Sequence, residues 1–284
     1  MNARSLLADA EAQLAEAGVA SPRVDAELLL SHVTGVPRSL LLVAARPNDL
    51  QRRSYTELVE ARARRVPLQH LVGSAAFRFV DVEVGPGVFV PRPETEVLAG
   101  WAIEQARGIV EQSLNRQWEP RVVDLCTGSG VIALAIVQEV PGAAVHAVEL
   151  DEPAFGWAQR NLSGTGVDLR LGDAADAFAD LDGGVDVVVS NPPYIPLDAW
   201  ESVAPEVRDH DPALALWSGD DGLDALRMIE ATAWRLLKPG GVVGVEHADV
   251  QGESAPEVFG ERWADVRDHP DLAGRPRFVT ARKP

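Results

Sequence analysis

Val185-Asp-Val-Val-Val-Ser-Asn-Pro-Pro-Tyr194 is the most informative segment of this chain. Its apolar first half predicts a short, buried parallel strand over residues 185–189. The two prolines that follow end the strand and remove two backbone N–H donors. Open α/β sheets bind their ligands beyond the carboxyl ends of such strands, so we expect a functional site at residues 190–194.

The chemistry of this strand end is that of a hydrogen-bond acceptor site. The side-chain oxygen of Asn191 and the carbonyl of Pro192 are acceptors on a stiff backbone, beside the aromatic ring of Tyr194. This arrangement suits a planar –NH2 group, which has two hydrogens to donate and a flat face that packs on a ring. For the motif taken alone, a proline-rich strand exit without chemistry is an equally good interpretation.

Short apolar strands alternate with helices on both sides of this segment. The predicted strands are 121–125, 145–150, 167–171, 185–189 and 242–246, and the helices between them are 131–140, 153–162 and 223–237. This alternation predicts an α/β fold with a mainly parallel sheet and right-handed crossovers. The tail segments 263–268 and 278–282 are expected to form an antiparallel pair at the edge of that sheet.

Residues 1–75 have the periodicity of a small all-helical domain. The first predicted helix stops at Gly18, and Ser21-Pro22 is expected to begin a helix over 24–33, which Gly35 ends. A short helix is expected over 37–44, and a longer one from Asn48 or Asp49 through residue 65. The residues expected to face inward from this longer helix are Leu50, Tyr55, Leu58 and Val59.

Five arginines crowd the end of this predicted domain. They are Arg52, Arg53, Arg62, Arg64 and Arg65. A solvated helix face is the ordinary interpretation of such a run, and a partner-binding face is the alternative.

A linker separates the two predicted domains. Residues 76–90 alternate in polarity and contain Gly85-Pro86-Gly87, which predicts a β-hairpin linker over residues 76–92. A helix is expected over 94–114. Residues 93–284 then form the second and larger domain.

Composition limits the chemistry that the protein can use. The single cysteine, Cys126, excludes an internal disulfide and a cysteine-built zinc site. Residues 1–75 carry 9 Arg and 8 acidic residues, whereas the remainder carries 17 basic and 35 acidic residues. Such an acidic main body repels phosphate backbones and weighs against DNA or RNA as the substrate. We see no long apolar run or signal peptide and expect a cytoplasmic protein with no membrane association.

Candidate binding residues follow each of the first three predicted strands. Asp124-Leu-Cys-Thr-Gly128-Ser-Gly130 is a glycine-rich turn between a strand and a helix, where a ligand can approach the backbone closely. Glu149 ends the second strand and could accept both hydroxyls of a ribose, or simply complement a helix dipole. Asp173 ends the third strand and could reach an adenine amino group, or merely cap the next turn.

These motifs together resemble those of class I S-adenosylmethionine-dependent methyltransferases. More narrowly, the chain resembles the bacterial release factor glutamine methyltransferases, the PrmC/HemK family. Besides the two motifs quoted above, the segments that carry this resemblance are Pro67-Leu-Gln-His-Leu-Val-Gly73, Phe89-Val-Pro-Arg-Pro-Glu-Thr-Glu96, His210-Asp-Pro-Ala-Leu-Ala-Leu216, Val245-Glu-His247 and Leu272-Ala-Gly-Arg-Pro-Arg277. The resemblance covers nearly the whole chain, including the helical N-terminal domain.

The resemblance implies S-adenosylmethionine as the cofactor, S-adenosylhomocysteine as its product, and no metal. It implies transfer of a methyl group to the side-chain amide nitrogen (N5) of the glutamine in the Gly-Gly-Gln (GGQ) motif of class I peptide-chain release factors. The helical domain would then bind the release factor. The alternative is an amino methyltransferase that acts on DNA or RNA, because such enzymes share Asn-Pro-Pro-Tyr.

The resemblance also assigns roles to residues. Asn191, Pro192 and Tyr194 would be catalytic and, with Pro193, would bind the substrate amide. The residues that would bind the cofactor are Asp124, Cys126, Thr127, Gly128, Ser129, Gly130, Glu149, Asp173, Ala174 and Asn191. Arg92, Thr95 and Glu96 would shape the site, although an ion pair that holds the hairpin to the core is an alternative for Arg92.

Two departures from the family pattern concern the site. Cys126 stands where glycine is frequent in the loop, and Ala174 stands where some relatives carry an aromatic residue that packs on adenine. The departure at Cys126 removes no group that the chemistry requires, whereas Ala174 lacks the ring that would pack on adenine.

Overall fold

The computed structural model describes residues 2–112 and 119–284. Within them the helices are α1 (Ala3–Glu16), α2 (Pro22–Thr34), α3 (Leu41–Ala44), α4 (Asp49–Ala63), α5 (Leu68–Val72), α6 (Thr95–Gln112), α7 (Val131–Glu139), α8 (Glu152–Asn161), α9 (Pro205–Arg208), α10 (Asp224–Leu236) and α11 (Ser254–Phe259). The strands are β1 (Ser74–Phe77), β2 (Val80–Glu83), β3 (Arg121–Leu125), β4 (Ala144–Glu149), β5 (Asp168–Leu171), β6 (Val185–Ser190), β7 (Leu237–Glu246), β8 (Ala264–Pro270) and β9 (Pro276–Arg282).

The chain forms two compact units. The first contains the residues up to Ser74 together with Val84–Pro86 and Val203–His210. The second contains Ala75–Glu83, Gly87–Ser202 and Asp211–Pro284.

The first unit is helical, as its periodicity predicts. Leu7, Leu14, Leu29 and Leu30 are fully buried in its apolar core. Gly35 ends α2 in the left-handed conformation (φ +68°), which glycine adopts without steric cost.

The ends of α2 and α4 show how far local signals determine this unit. Pro22 occupies the first turn of α2 as predicted, but the side chain of Ser21 makes no capping hydrogen bond. Asn48 caps α4 and forms a capping box with Gln51. Tyr55 is buried as predicted, whereas the inward placement of Leu50 is wrong, because this second residue of α4 is 67% exposed.

The arginine run does not form a simple solvated face. The helix α4 ends at Ala63 rather than at residue 65, since Arg65 has a left-handed φ of +68°. Arg62 is buried and donates to Asp25 at 2.7 Å and to Glu206 at 3.0 Å. Arg65 forms a bidentate pair with Glu206 at 2.7 Å through each nitrogen. Arg62 and Arg65 therefore stabilise the unit from within.

The second unit is built on a seven-stranded sheet of order β5-β4-β3-β6-β7-β9-β8. The pairs from β5 through β7 are parallel, and β9 is antiparallel to both β7 and β8. The chain runs outward through β3, β4 and β5 and then returns to place β6 beside β3. A switch of direction of this kind opens a crevice at the carboxyl ends of the two central strands.

The predicted α/β alternation is confirmed strand by strand. All six residues of β6 are buried, as expected for a central parallel strand covered on both faces. The tail pair forms at the predicted edge. The strand β7 begins at Leu237, five residues earlier than predicted, and continues directly from α10.

The hairpin and the helix after it differ from prediction in detail. The turn between β1 and β2 lies at Arg78 and Phe79, not at Gly85-Pro86-Gly87. The helix α6 begins at Thr95, and the last two residues of the helix predicted over 94–114 lie outside the described residues.

Across the described residues, no individual helix has both the length and the apolar character needed to span a bilayer. One pair, Pro22–Thr34 with Arg38–Ala44, meets these criteria jointly, with a bend of 94° between its members.

Candidate active site

The register of the parallel sheet brings four strand ends to one edge. Leu125 pairs with Val148 on one side and with Ser190 on the other, and Ser190 pairs with Val245. The Oγ of Ser190 also donates to the carbonyl of Leu125 at 2.6 Å. The residues one step beyond this row are Cys126, Glu149, Asn191 and Glu246, so the sheet itself places the candidate residues side by side.

Asp124 anchors the glycine-rich loop from beneath. Its carboxylate is fully buried and accepts hydrogen bonds from the Thr127 hydroxyl at 2.5 Å and from the backbone N–H of Ala133 at 3.2 Å. Burial raises the pKa of Asp124 to about 7, against the lowering effect of these two donors. Among the described residues its Oδ1 has no partner. This carboxyl ties the loop to the start of α7.

The loop itself uses left-handed backbone at alternate positions. Gly128 has φ +59°, and an added Cβ there would meet nothing within 4 Å, so open space lies over the loop. Cys126 has φ +60° without being glycine, a conformation that strains an L-residue. The left-handed backbone gives a physical reason why glycine suits this position. Burial also raises the pKa of the Cys126 thiol, which disfavours a reactive thiolate. The hydroxyl-bearing neighbours Thr127 and Ser129 are both buried.

Glu149 is held by backbone donors on three sides. Its Oε2 accepts from Gly128 at 2.8 Å, and its Oε1 accepts from Leu150 and Asp151 at 2.9 Å each. Burial raises the pKa of Glu149, while these three N–H groups act in the opposite direction. Two carboxylate oxygens offer about four acceptor positions, so capacity remains for a ligand hydroxyl. The carboxylate is thus fixed at the rim of the glycine-rich loop.

At the end of β5, a hydrogen bond from the backbone to the Asp173 side chain stabilises the turn that follows the strand. Asp173 is exposed, and its Oδ1 accepts from the backbone N–H of Ala175 at 2.9 Å, the capping role considered as its alternative. Ala174 is buried in the sheet's apolar core, near Phe178. The turn's hydrogen bond uses only Oδ1 of the Asp173 carboxylate.

Asn191 is oriented by a residue far away in sequence. Its Nδ2 donates to the Oγ1 of Thr95 at 3.2 Å, and Thr95, at the start of α6, is 2% exposed. With the amide nitrogen directed at Thr95, the acceptor oxygen Oδ1 is at the other end of the group. Pro192 is buried directly beyond it.

Tyr194 is held through its hydroxyl. This group donates to Oε1 of Glu246 at 3.3 Å, and burial raises the pKa of the phenol, which therefore stays protonated. Glu246 is itself 1% exposed, and burial raises its pKa to about 7. The hydroxyls of Thr95 and Tyr194 and the positive charge of Arg277 act against this shift.

Arg92 forms the ion pair that we considered as its alternative role. Its guanidinium donates to Oδ2 of Asp211 at 2.6 Å and lies 4.8 Å from the centroid of the Phe89 ring. Burial raises the pKa of Asp211 to about 6, although Arg92 acts to lower it. Glu96 accepts a hydrogen bond from Arg78 at 3.2 Å through its backbone carbonyl. Within the part of the chain that the structure describes, the Glu96 side chain makes no hydrogen bond or ion pair with the other site residues.

The carboxyl edge of the sheet is an acidic environment. Asp124, Glu149 and Glu246 all have raised pKa values because burial disfavours their charged forms. A positive charge close to a buried carboxyl favours its ionised form, so acidic strand ends favour a positively charged ligand over an anionic one. In the described part of the chain, no group of three or more His, Cys, Asp or Glu side chains is arranged to hold a metal ion.

Two residues of this network, Glu246 and Asp211, were not predicted as site residues from the sequence. Each lies in a segment that carries the family resemblance, without a role of its own. The position of Glu246 at the end of a predicted strand was a usable signal, because all such ends meet at the same edge.

Two family models match the chain. The PrmC N-terminal domain matches residues 5–73, and the methyltransferase small domain matches residues 94–204. Among solved structures, the catalytic domain of hMettl16 in complex with the MAT2A 3′UTR hairpin 6 has a TM-score of 0.54 at 13% identity, covering 83% of this chain and 82% of that one. This likeness shows the fold alone.

Curated relatives match over almost the entire length. The chain is 59% identical to the release factor glutamine methyltransferase of Streptomyces coelicolor, covering 98% of this chain and 96% of the relative. It is 49% identical to the enzyme of the same name from Mycolicibacterium smegmatis, with the same coverage. It is also 42% identical to a 4-amino-L-phenylalanine/4-methylamino-L-phenylalanine methyltransferase of Streptomyces pristinaespiralis, covering 93% of this chain and 90% of that protein.

The switch-point crevice, the glycine-rich loop and the acidic strand ends define a class I S-adenosylmethionine-dependent methyltransferase. Within that class, the chain belongs to the release factor glutamine methyltransferase family. The family resemblance and the fold class predicted from the motifs are thus confirmed.

Proposed function

We propose that the protein transfers a methyl group from S-adenosylmethionine to the side-chain amide nitrogen of a glutamine in peptide-chain release factors. The identity of 59% over nearly the full length to a release factor glutamine methyltransferase supports this activity. At a finer level, we propose that the target is the glutamine of the GGQ loop in class I release factors. The observation that carries the chemistry is the orientation of Asn191, whose Nδ2 is engaged by Thr95.

The acceptors beyond β6 would make the amide nitrogen reactive. An amide nitrogen is a weak nucleophile because its lone pair is delocalised into the carbonyl. Oδ1 of Asn191 and the carbonyl of Pro192 would accept its two hydrogens and favour the tetrahedral geometry that develops as the nitrogen attacks. These dipoles are fixed before the reaction, so they stabilise the transition state without reorganising.

Tyr194 would act through its ring. The hydroxyl is engaged by Glu246, so the aromatic face is held in one orientation against the planar amide. Pro193 would restrict the backbone between the acceptors and this ring. The remaining contribution is proximity, because the nitrogen and the methyl carbon must be held in line near contact distance.

The roles of the cofactor-binding residues are also part of this proposal. The backbone of 126–130 would contact the methionine portion, Glu149 the ribose hydroxyls, and Asp173 with Ala174 the adenine. Asp124, Thr127 and Ser129 would support the loop from beneath. When bound, the sulfonium supplies an activated methyl group, and neither a nucleophilic side chain nor a metal is required of the protein.

The first unit would recognise the release factor. It exposes four large apolar side chains near one another in sequence, which are Leu40, Leu42, Val43 and Leu50. Exposed apolar clusters of this kind often mark protein–protein contacts. We propose that this patch binds the release factor and so determines the affinity for the whole protein substrate.

A methyl-transfer assay tests the activity. Labelled S-adenosylmethionine is offered with a purified class I release factor, its Gln→Ala variant in the GGQ loop, duplex DNA, and 4-amino-L-phenylalanine. We expect label on the parent release factor alone. Equal labelling of the Gln→Ala variant would reject the GGQ glutamine, and label on DNA or on the free amino acid would reject the release factor as the preferred substrate.

Charged substitutions test the patch. L42E combined with V43E is expected to raise KM for the intact release factor without changing the Kd for S-adenosylhomocysteine. The matched control is L272E, since Leu272 is 94% exposed in the second unit. An unchanged KM in the double variant would exclude this patch from recognition.

A further inference from the structure

The side chain of Gln251 joins three separate segments of the second unit. Its Oε1 accepts from the backbone N–H of Ala248 at 2.8 Å. Its Nε2 donates to the carbonyl of Tyr194 at 3.2 Å and to the carbonyl of Asp221 at 3.1 Å. Gln251 is 3% exposed, so these three hydrogen bonds are shielded from water. The last residue of Asn-Pro-Pro-Tyr is therefore tied to the segment that follows β7.

The three partners determine the orientation of the Gln251 amide. A backbone N–H can only donate, and a backbone carbonyl can only accept. Rotation of the amide by 180° would direct its NH2 group at the N–H of Ala248 and its oxygen at two carbonyls, so all three hydrogen bonds would be lost. The observed orientation uses both amide hydrogens. Displacement of the Tyr194 carbonyl would then leave a buried N–H of Gln251 without an acceptor, which costs free energy.

Glycine at position 222 makes room for the contact between Gln251 and Tyr194. Gly222 has φ +75°, and a Cβ added there would lie 2.4 Å from the Tyr194 carbonyl oxygen and 2.6 Å from Nε2 of Gln251. Both distances are far shorter than a van der Waals contact. A side chain at this position would therefore displace the backbone of Tyr194 or the side chain of Gln251. The glycine is a second, independent requirement of the same contact.

The backbone of Asn-Pro-Pro-Tyr leaves the sheet before it reaches Tyr194. The register of β6 with β3 and with β7 ends at Ser190. Pro192 and Pro193 have no N–H, so neither can donate a hydrogen bond from its backbone. Gln251 supplies an anchor for the backbone on the far side of these prolines.

Tyr194 is half-buried, and it is held at both of its ends. Its hydroxyl donates to Oε1 of Glu246 at 3.3 Å, and its carbonyl accepts from Nε2 of Gln251 at 3.2 Å. A contact at the hydroxyl alone would let the ring tilt about that end whenever the backbone moved. Because the backbone is held as well, the ring is kept in one position.

We propose that Gln251 is a positioning residue for methyl transfer, because it holds the backbone of Tyr194 and so the ring on which the substrate amide packs. The inference rests on the proposed methylation of a glutamine amide. Gln251 acts through Tyr194 and not by contact with the reacting atoms. Its loss should therefore lower the rate of transfer and leave the affinity for the cofactor unchanged.

Substitutions at two positions test this role by kinetics. Q251M keeps the length of the side chain but cannot donate to the Tyr194 carbonyl, and G222A crowds the same carbonyl. In both variants kcat is expected to fall about 10- to 100-fold, since misplacement of a group at the site by about 1 Å has effects of this size. The Kd for S-adenosylhomocysteine should not change.

A spectroscopic measurement reports on Tyr194 without turnover. The chain contains two tyrosines, Tyr55 and Tyr194, so labelling with 3-fluorotyrosine gives two ¹⁹F resonances, which Y194F assigns. The Tyr194 resonance is expected to shift or broaden in Q251M and in G222A. Tyr55 is buried in the first unit and donates to the carbonyl of Ala26 at 3.1 Å, so its resonance should not change.

Two control variants separate this role from general effects on the fold. Gly240 lies near the amino end of β7 with a similar φ of +81°, but an added Cβ would meet nothing within 4 Å. G240A therefore shares the conformational cost of G222A without the crowding. E230Q controls for lost stability, since Glu230 is 8% exposed and binds Arg262 and Trp263. Both controls should keep kcat and the Tyr194 resonance of the parent.

The outcomes separate this inference from the proposed function. An unchanged Tyr194 resonance in Q251M and G222A would overturn the positioning role, whatever the activity. A fall of kcat in G240A and E230Q equal to that in Q251M and G222A would also overturn it. A parent protein that leaves the release factor unlabelled, while the Tyr194 resonance still changes in Q251M and G222A, would overturn the proposed substrate and leave the role of Gln251 in holding Tyr194 standing.

Discussion

The backbone N–H of Gly128 donates to Oε2 of Glu149 at 2.8 Å. A carboxylate at the end of β4 therefore holds the glycine-rich loop that follows β3. The strands β3 and β4 pair in register up to Leu125 and Val148. The Glu149 side chain extends the contact between β4 and the segment that follows β3.

This relationship predicts that Glu149 serves the cofactor site in two ways. E149A should weaken binding of S-adenosylhomocysteine by about tenfold or more, because a charged hydrogen bond of about 1.5–3 kcal/mol is lost and the loop loses its support. Isothermal titration calorimetry gives the Kd. E152A, an exposed acidic residue three positions later, is the control, and equal Kd values for the two variants would show that Glu149 has no particular role.

Glu206 is expected to be a major stabilising residue of the helical unit. Burial raises its pKa, but Arg65 and Arg62 outweigh this effect and lower it to about 2. E206A should cost about 2–4 kcal/mol of unfolding free energy, because Arg62 is buried and loses one of its partners. Urea titration measures the change.

The control for Glu206 is E57A at an exposed position of α4, where the change should stay within about 0.5 kcal/mol. The contribution of Glu206 should be complete above its unfolded pKa of 4.5 and should be lost as the pH falls towards 2. A difference between parent and E206A that persists undiminished at pH 2 would contradict the ion-pair explanation.

Cys126 is expected to tolerate glycine better than valine. Its φ of +60° costs an L-residue about 1–3 kcal/mol, and a β-branched side chain costs most. C126G should stay within about 1 kcal/mol of the parent, since relief of strain offsets the lost side-chain packing. C126V should lose about 2 kcal/mol or more. Equal stability of the two variants in urea titrations would show that the backbone at this position is not strained.

The sequence predicts the edge of the sheet well and the contacts across it less well. Glu149 and Asn191 could be placed together because the carboxyl ends of parallel strands share an edge, and this follows from strand order and register alone. The hydrogen bond between Thr95 and Asn191 spans 96 positions and depends on where α6 begins, which no local pattern specifies.

The arginine run shows a second limit of sequence interpretation. Helical periodicity correctly predicted that Tyr55 is buried. It could not predict the burial of Arg62, because that burial depends on hydrogen bonds to Asp25 and Glu206. Glu206 lies 144 positions from Arg62, in a segment that the helical unit receives from beyond the Asn-Pro-Pro-Tyr motif. Charge pairing over such a distance is settled by the tertiary fold.

The raised pKa of Asp124 predicts that the folded protein loses stability as the pH rises. Its pKa is raised from 3.8 to about 7 in the folded protein, chiefly by burial. The neutral form is therefore favoured by folding, so its contribution is complete below pH 3.8 and is lost as the pH rises through 7. As the pH rises from 5 to 8, the unfolding free energy of D124N should increase by about 2–3 kcal/mol relative to that of the parent. A pH-independent difference between the two proteins would contradict this assignment.

Substitution of Asn191 is expected to slow methyl transfer while leaving the affinity for the cofactor nearly unchanged. N191A removes the acceptor Oδ1, and kcat should fall about 10²- to 10³-fold, by analogy with removal of one hydrogen-bonding group that acts only in a transition state. The Kd for S-adenosylhomocysteine should change little, because the loop at 126–130 and Glu149 are untouched. N191D keeps an acceptor oxygen but loses the NH2 group that donates a hydrogen bond to Thr95 at 3.2 Å. Its kcat should therefore lie between those of N191A and the parent. Single-turnover rates with saturating cofactor and release factor provide the measurement. An N191A protein that retains most of its kcat would mean that the amide nitrogen is activated by other groups, and the acceptor mechanism would have to be abandoned.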